Sequence, residues 1–415
     1  MSRGSKPSAR SLRGLDGLNF LMADVRDGLG PYLSVFLKAD QHWQAGSIGM
    51  VMAASSIAAA VFQIPAGLLV DSLRIKRALV ALAAIAVALG CLAIALFPAP
   101  PTVIVAQVLL GAASAVIPPA LAALSLGIVG RRLLPGRISR NETFNHAGNF
   151  VAAGLAGTLG QFAGYRWIFY LVCLFAVASA LVATLINPKE IDHELARGGE
   201  EESGAGKCEA IPLSELFRRR DLLIFLISVV LFHFGNAAML PLAGQVLAAT
   251  HPGQDAMALS ACIIAAQLVM VAVAWSVGRA MKAGYGRKGI FLVALAVLPV
   301  RGVLFSFVGS PYAVVGIQLL DGVAAGIFGV ISIIIASDLM KGTGRFNLAQ
   351  GLTALAVGIG AGLSNLVSGF VVQAYGYSLA FLFLAAIALA ALIFFALFMP
   401  ETGDGKAAKR TAAVA

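Results

Sequence analysis

Three charges stand within four positions of one apolar segment. In LMADVRDGLGPYLSVFL (21–37), Asp24, Arg26 and Asp27 interrupt a run that otherwise suits the interior of a bilayer. A charge at the centre of a membrane helix costs about 2.5–3.5 kcal/mol even on the lenient insertion scale, so such residues face a bundle interior or water and mark ion or solute paths. Asp24 and Asp27, three apart, share a helical face, and Arg26 flanks Asp27. Two chemistries fit. The acids can carry protons beside a cationic anchor, or the three can form an ion pair that fixes helix packing.

Three other segments carry polar groups at helical spacing. RNETFNHAGN (140–149) sets Asn141, Asn145 and Asn149 on one stripe, with Glu142 and His146 on a second beside it. Asn145, His146 and Asn149 are the deeper members and are read as cavity lining; Asn141 and Glu142 suit an exposed first turn. HFGNAAMLPLAGQ (233–245) holds His233, which can titrate near neutral pH or serve as a packing residue, with Asn236 one turn on. A copper or iron site from His233 and Met239 is a thin alternative, and no metal or other cofactor is expected. GIQLLDGVAAGIFG (316–329) places Gln318 and Asp321 one turn apart, and Asp321 is the clear intramembrane carboxylate of the second half. Arg301 lies near the end of its segment and reads as an interfacial anchor. The GIGAG of 358–362 sits inside an apolar helix and reads as close packing.

Twelve apolar runs position these residues. Of the 415 residues 59% are hydrophobic and 12% charged, against about 45–50% and about 25% in soluble proteins. A bilayer core takes roughly 20 apolar residues per helix. The runs cover 17–37, 46–70, 78–97, 102–129, 141–163, 166–186, 222–249, 257–281, 289–308, 312–339, 347–374 and 377–399. The formal charge of +10 falls in short clusters between runs, without aromatic interleaving, so nucleic acid is not the partner. Arg3, Lys6, Arg10 and Arg13 open the series. It continues through Arg74/Lys76/Arg77, Arg131/Arg132/Arg137/Arg140, Arg218/Arg219/Arg220, Arg279/Lys282/Arg287/Lys288, Lys341/Arg345 and Lys406/Lys409/Arg410. The opposite loops hold little beyond Lys38 and Arg166, which puts both termini in the cytoplasm. Four scattered cysteines without CxxC spacing indicate neither a metal site nor a disulfide framework.

The polar stretch 188–220 divides the chain. The organisation is a cytoplasmic tail (1–16), a six-helix bundle (17–187), a cytoplasmic linker (188–220), a second six-helix bundle (221–399) and a second tail (400–415). The linker's SGAGKC (203–208) lacks the first glycine and closing Ser/Thr of a phosphate loop. The halves read as copies. Pro31 recurs as Pro241, Gly67 as Gly278, Gln107 and Gly111 as Gln318 and Gly322, and Gly157 and Tyr165 as Gly369 and Tyr377, at offsets of 210–212. By the same register Ala23 aligns with His233 and Arg26 with Asn236. Parallel six-helix halves are a transporter plan with its site near the midplane.

At this point the chain resembles the major facilitator superfamily. GLLVDSLRIKR (67–77) is similar to the family's G-x-L-x-D-x-x-G-R-[RK] loop, with Gly67, Leu69, Asp71 and Lys76 in place and Arg77 following. Arg74 stands at the family's glycine and Ile75 at its first arginine. The second copy, GRAMKAGYGRK (278–288), keeps Gly278, Arg287 and Lys288 but has Lys282 where the acid belongs. The resemblance implies an all-α integral membrane fold and alternating access, with these loops helping to gate the cytoplasmic side. Asp71 would cap a neighbouring helix N-terminus. Gln107 stands where the family often has arginine, and span 5 lacks the proline of the drug:proton antiporter pattern.

The expectation is a secondary transporter of the inner membrane, monomeric and proton-coupled. Asp24, Asp27, Asp321 and His233 are the coupling candidates. Arg26, Gln107, Asn145, His146, Asn149, Asn236 and Gln318 are the cavity candidates for a small polar solute. Export is preferred, with uptake symport or uniport as the alternative and a membrane receptor on the same fold as a further one. No H-E-x-x-H, nucleophile-elbow or phosphate-loop motif supports an enzyme, and the chain has no nucleotide-binding domain for an ATP-driven pump.

Overall fold

A computed structural model describes residues 7–27, 29–196, 218–307, 309–340 and 346–402. The side chains of Asp24, Arg26, Asp27, Arg131, Pro135, Phe346 and Asn347 also lie outside the described residues, as does SGAGKC. The helices in chain order are α1 (Ala9–Asp27), α2 (Leu29–Ala39), α3 (Ala45–Ser72), α4 (Lys76–Leu96), α5 (Pro100–Phe162), α6 (Arg166–Ala183) and α7 (His193–Ala196). Then follow α8 (Arg220–Asn236), α9 (Met239–Thr250), α10 (Asp255–Lys282), α11 (Arg287–Phe305), α12 (Pro311–Leu339), α13 (Phe346–Tyr375) and α14 (Tyr377–Phe398). No strand occurs among the described residues. That is the physics of a bilayer, where every backbone polar group must be satisfied within its own segment.

Among the described residues, ten helical stretches are long and apolar enough to cross a membrane. The other two expected spans are helical but more polar: α1 with α2, and residues 131–162 of α5. The helix of span 5 starts earlier than the apolar pattern predicts. Gly130 alone makes the turn (φ 75°, ψ 166°), so 131–140, expected as a loop, is helical. Only glycine adopts that conformation without steric penalty.

Pro241 lies just after a helix break. A proline has no N–H for the carbonyl four residues back, here that of Ala237, between α8 and α9. The Ala238 N–H, also at this break, donates to the Ser364 hydroxyl of α13 at 3.0 Å.

The chain clusters into two units, Met1–Phe36 with Ala54–Ala205 and Leu37–Ala53 with Gly206–Ala415. The opening turns of α3 therefore belong with the second unit. There a Cβ on Gly369 would lie 2.7 Å from the Ala45 carbonyl oxygen, and one on Gly49 would run into the Asn365 carbonyl oxygen.

Within each unit the same crossings recur. In the first unit Gly111 backs onto the Ser55 carbonyl and the Ala58 methyl. In the second, 211 residues on, a Cβ on Gly322 would lie 2.7 Å from the Ala266 carbonyl and 2.6 Å from the Val269 Cβ. A Cβ on Gly148 would likewise run into the Phe20 carbonyl and lie 3.0 Å from the Ala23 Cβ. A Cβ on Gly360 would repeat this, running into the Val230 carbonyl and lying 2.9 Å from the His233 Cβ. Small residues that let backbones approach are the usual contact of membrane helices, and they explain the GIGAG of α13. The second unit's core adds stacked and tilted phenylalanines, with Phe232–Phe328 and Phe291–Phe395 centroids each 4.8 Å apart.

Candidate functional site

The second unit encloses one guanidinium in a polar cluster. Arg301 of α11 is 1% exposed, and its Nη1 lies 2.9 Å from Asp321 Oδ1 of α12. The same nitrogen donates to Asn236 Oδ1 at the end of α8, and Nη2 donates to Gln318 Oε1 at 2.8 Å. Gln318 Nε2 closes the circuit by donating to Asp321 Oδ2 at 3.0 Å. Arg301 therefore is not the interfacial anchor the sequence indicated. Its Cζ stands 5.2 Å over the Phe305 ring, and its Nε has no hydrogen-bond partner among the described residues. The Asp321 side chain is 20% exposed, but the Oδ1 that faces Arg301 is itself buried. A buried charge is tolerated when it is paired and hydrogen-bonded, and stranding it is strongly destabilising.

Asn236, Gln318 and Asp321, expected from sequence, are thus brought together. Arg301 was missed as their partner, although a signal existed. Positions 301 and 321 are the repeat counterparts of Gly90 and Leu110, and in the first unit a Cβ on Gly90 would run into Leu110 Cδ1. The contact recurs, but in one half it is apolar and in the other it is an ion pair.

His233 stands one turn before Asn236 but outside the circuit. Its ring meets Phe232 and Phe328 edge-on at 5.1 and 4.8 Å, and its shielded Nε2 has no hydrogen-bond partner among the described residues. The charges of Asp24, Arg26 and Asp27 stand in the last turn of α1, and their side chains fall outside the described residues. Gln107 is buried in α5, while Asn145, His146 and Asn149 are half-buried. Among the described residues Asn145 donates to Glu142, at a long 3.5 Å.

Asn141 departs from its stripe. It is buried, accepts from Arg137 Nε at 2.6 Å and donates to Ser125 Oγ at 2.9 Å. Arg137 also donates to Asp16 Oδ1 at 2.5 Å, and Arg140 donates to both oxygens of the same carboxylate. Asp16 precedes the first apolar run. Burial pushes its carboxyl up, but the hydrogen bonds of Arg140 and Arg137 and their charges outweigh this and hold it below the usual range. The arginines that read as topology signals also serve as ion-pair partners.

The loop residues of the family pattern divide by role. Lys76 is buried and donates from Nζ to the Val70 and Leu73 carbonyls at 2.8 and 3.0 Å, closing the turn between α3 and α4. Arg77 donates to the Ile186 carbonyl at 2.7 Å. Asp71 is exposed, and among the described residues it makes no hydrogen bond or ion pair; residues 341–345 lie outside the description. Gly67 and Gly278 both face open space. In the second copy, where the loop lacks an acid, Glu401 supplies one: its Oε1 accepts the Arg287 N–H at 2.8 Å and its Oε2 the Lys288 N–H at 3.2 Å. Arg287 also pairs with Asp338 at 3.2 Å, and Lys288 Nζ donates to the Ala396 carbonyl at 2.7 Å.

The Major Facilitator Superfamily profile matches residues 16–309 and 277–414. Two proteins described as uncharacterized MFS-type transporters, from the CDC 1551 / Oshkosh and H37Rv strains of Mycobacterium tuberculosis, are each 47% identical over 395 residues, 95% of this chain and 94% of theirs. Among solved structures, a POT family transporter in complex with 5-aminolevulinic acid has a TM-score of 0.77 at 12% identity, covering 95% of this chain and 96% of its own. A variant of the nucleoside transporter NupG scores 0.75 at 16% identity, covering 94% and 100%. A D-xylose-proton symporter scores 0.68 at 14% identity, covering 95% and 98%.

Proposed function

The chain belongs to the major facilitator superfamily, and from that premise we propose that it is a secondary transporter of a small polar solute, driven by protons that bind at Asp321. The observation that carries this reading is the Arg301–Asp321 pair. A carboxylate paired with a buried guanidinium has two states of different energy. Ionised, it holds the circuit of Asn236, Gln318 and Arg301 together; protonated, it releases Arg301. That difference is what a coupling ion needs, because an ion shifts a conformational equilibrium only by its differential affinity for the two states. Asp24 and Asp27 are carried forward as further carriers, with Arg26, Gln107, Asn145, His146 and Asn149 as cavity residues. The Asp71 and Lys288 loops are carried forward as gates. The distribution of Lys and Arg supports an inner-membrane protein with both termini cytoplasmic.

Uptake by symport is the second reading beside export, and the ion pair favours it: a proton that opens the site for solute travels in the same direction as the solute. Reconstituted chain with a trapped pH dye tests both. Solute-dependent proton movement is expected in the wild type and lost in Asp321→Asn. Solute movement without protons in either would overturn the coupling.

A further inference from the structure

We propose that Cys91 and Cys173 form a dithiol in the first unit that membrane-borne hydroperoxides oxidise to a disulfide, stapling α4 to α6.

The two thiols come from helices that are each long and apolar enough to cross a bilayer. Cys91 is buried in α4 and Cys173 is half-buried in α6. Cys173 Sγ donates to the Ala88 carbonyl oxygen of α4 at 3.2 Å. That contact sets it on the turn that carries Cys91, three residues after Ala88. A helical side chain leans back over the turn before it, and a short polar one reaches the carbonyl three residues earlier. Cys91 therefore aims at the same spot, and its side chain is a hydrogen-bond partner of Cys173; the Leu92 N–H faces the same sulfur. A disulfide takes β-carbons about 3.5–4.5 Å apart, a spacing within reach of thiols already in contact. Zinc would need further ligands, and no group of three His, Cys, Asp or Glu side chains gathers among the described residues.

Access is from the lipid side. On α6, Leu174, Val177 and Leu181 are exposed, and on α4 Leu89 and Leu92 are. Cys173 stands next to Leu174 and one turn before Val177, so the half-buried thiol borders a lipid-facing stripe. Beyond their first turns neither helix carries a charged residue. A neutral oxidant that dissolves in lipid is concentrated at this place; a water-borne one is not.

The chemistry closes without leaving a charge in the bilayer, where a charge is costly. The Cys173 sulfur attacks the terminal oxygen of the hydroperoxide. The O–O bond breaks, the alcohol leaves with the thiol proton, and Cys173 becomes a sulfenic acid. The Cys91 sulfur then attacks the Cys173 sulfur. The S–S bond forms, the S–O bond breaks, and the hydroxyl leaves with the Cys91 proton as water. The two thiols give up two electrons and two protons, and the hydroperoxide takes both pairs.

The test treats the full chain in lipid nanodiscs with cumene hydroperoxide, then denatures it and labels thiols with a maleimide. Of the four cysteines, two should lose their label, and a phosphine reductant should restore both. A digest should yield a linked peptide that joins Cys91 to Cys173. Hydrogen peroxide at the same concentration should act more slowly. Cys91→Ala should halt the reaction at the first step, so that dimedone traps a sulfenic acid at Cys173. In Cys173→Ala, Cys91 should keep its label. Where an alanine variant does not fold, the wild-type peptide map decides alone. Retention of all four labels, or loss mapped to Cys208 or Cys262, overturns the dithiol. Closure by copper phenanthroline but not by cumene hydroperoxide overturns the hydroperoxide as its oxidant.

Discussion

Arg301 and Asp321 meet at 2.9 Å where the first half of the chain, 211 residues earlier, joins Gly90 to Leu110. The same crossing of two helices is built once from a small residue and a knob, and once from a guanidinium and a carboxylate. The apolar version shows that packing alone satisfies the crossing. The charged version spends desolvation energy that the fold does not need.

Exchanging the pair for its counterparts separates the two roles. Arg301→Gly with Asp321→Leu should fold and unfold within a few degrees of wild type. Asp321→Leu alone strands the guanidinium and should lose about 3–5 kcal/mol. Both should lose solute-dependent proton movement. Thermal unfolding in nanodiscs beside proteoliposome flux reads the difference; a double variant as unstable as the single one would show that the ion pair is structural.

The cluster around Asp16 gives a prediction in pH. Its carboxyl is held below the usual range by Arg140 and Arg137. A carboxylate whose folded value is depressed contributes its full stability above the unfolded value, and that contribution is lost as pH falls through the folded one. Asp16→Asn should therefore lower Tm by a nearly constant amount between pH 5 and pH 8, and the gap to wild type should close only in stronger acid. The measurement is Tm against pH for the two proteins; a gap that closes near neutrality would assign the stability to another group.

The repeat makes a prediction about glycines. Gly111 and Gly322 have no room for a methyl group, whereas Gly67 and Gly278 face open space. Gly111→Ala and Gly322→Ala force apart helices of their own units and should each cost about 1–3 kcal/mol, the usual range for overpacking. Gly67→Ala and Gly278→Ala should leave stability unchanged or slightly raised. If those two nonetheless slow transport with Tm intact, the loops act in gating.

These pairs also show what was legible in the sequence. Periodicity and charge distribution located the helices, because in a bilayer a span must be long and apolar; the two polar spans were found by count and turned out helical. A constant offset located the repeat, because the crossings that glycine permits recur with it. Asp321, Gln318 and Asn236 stood out as polar residues in apolar helices. Arg301 did not, since a charge near a helix end normally reaches water, and only the neighbouring helix shows that it is covered. Asn141, Arg137 and Asp16 were missed for the converse reason: a polar first turn reads as exposed, and the buried carboxylate that gathers it lies more than 120 residues away in sequence.

The break between α8 and α9 supports the last prediction. Pro241 interrupts the helix just after Asn236, and the Ser364 hydroxyl takes the N–H of Ala238 at 3.0 Å; both residues are buried. An unsatisfied buried donor costs about 1–3 kcal/mol, so Ser364→Ala should lower stability by that order, and Ser364→Thr, which keeps the hydroxyl, should restore most of it. The consequence for transport follows from position. Asn236 is the last residue of α8 and accepts from Arg301, so a loosened break lets it move away from the guanidinium. The half-saturation concentration for solute should rise in Ser364→Ala and return in Ser364→Thr, with the maximal rate less affected. Equal loss of stability in both variants would mean that the hydroxyl does not hold the break, and Asn236 would owe its position to α8 alone.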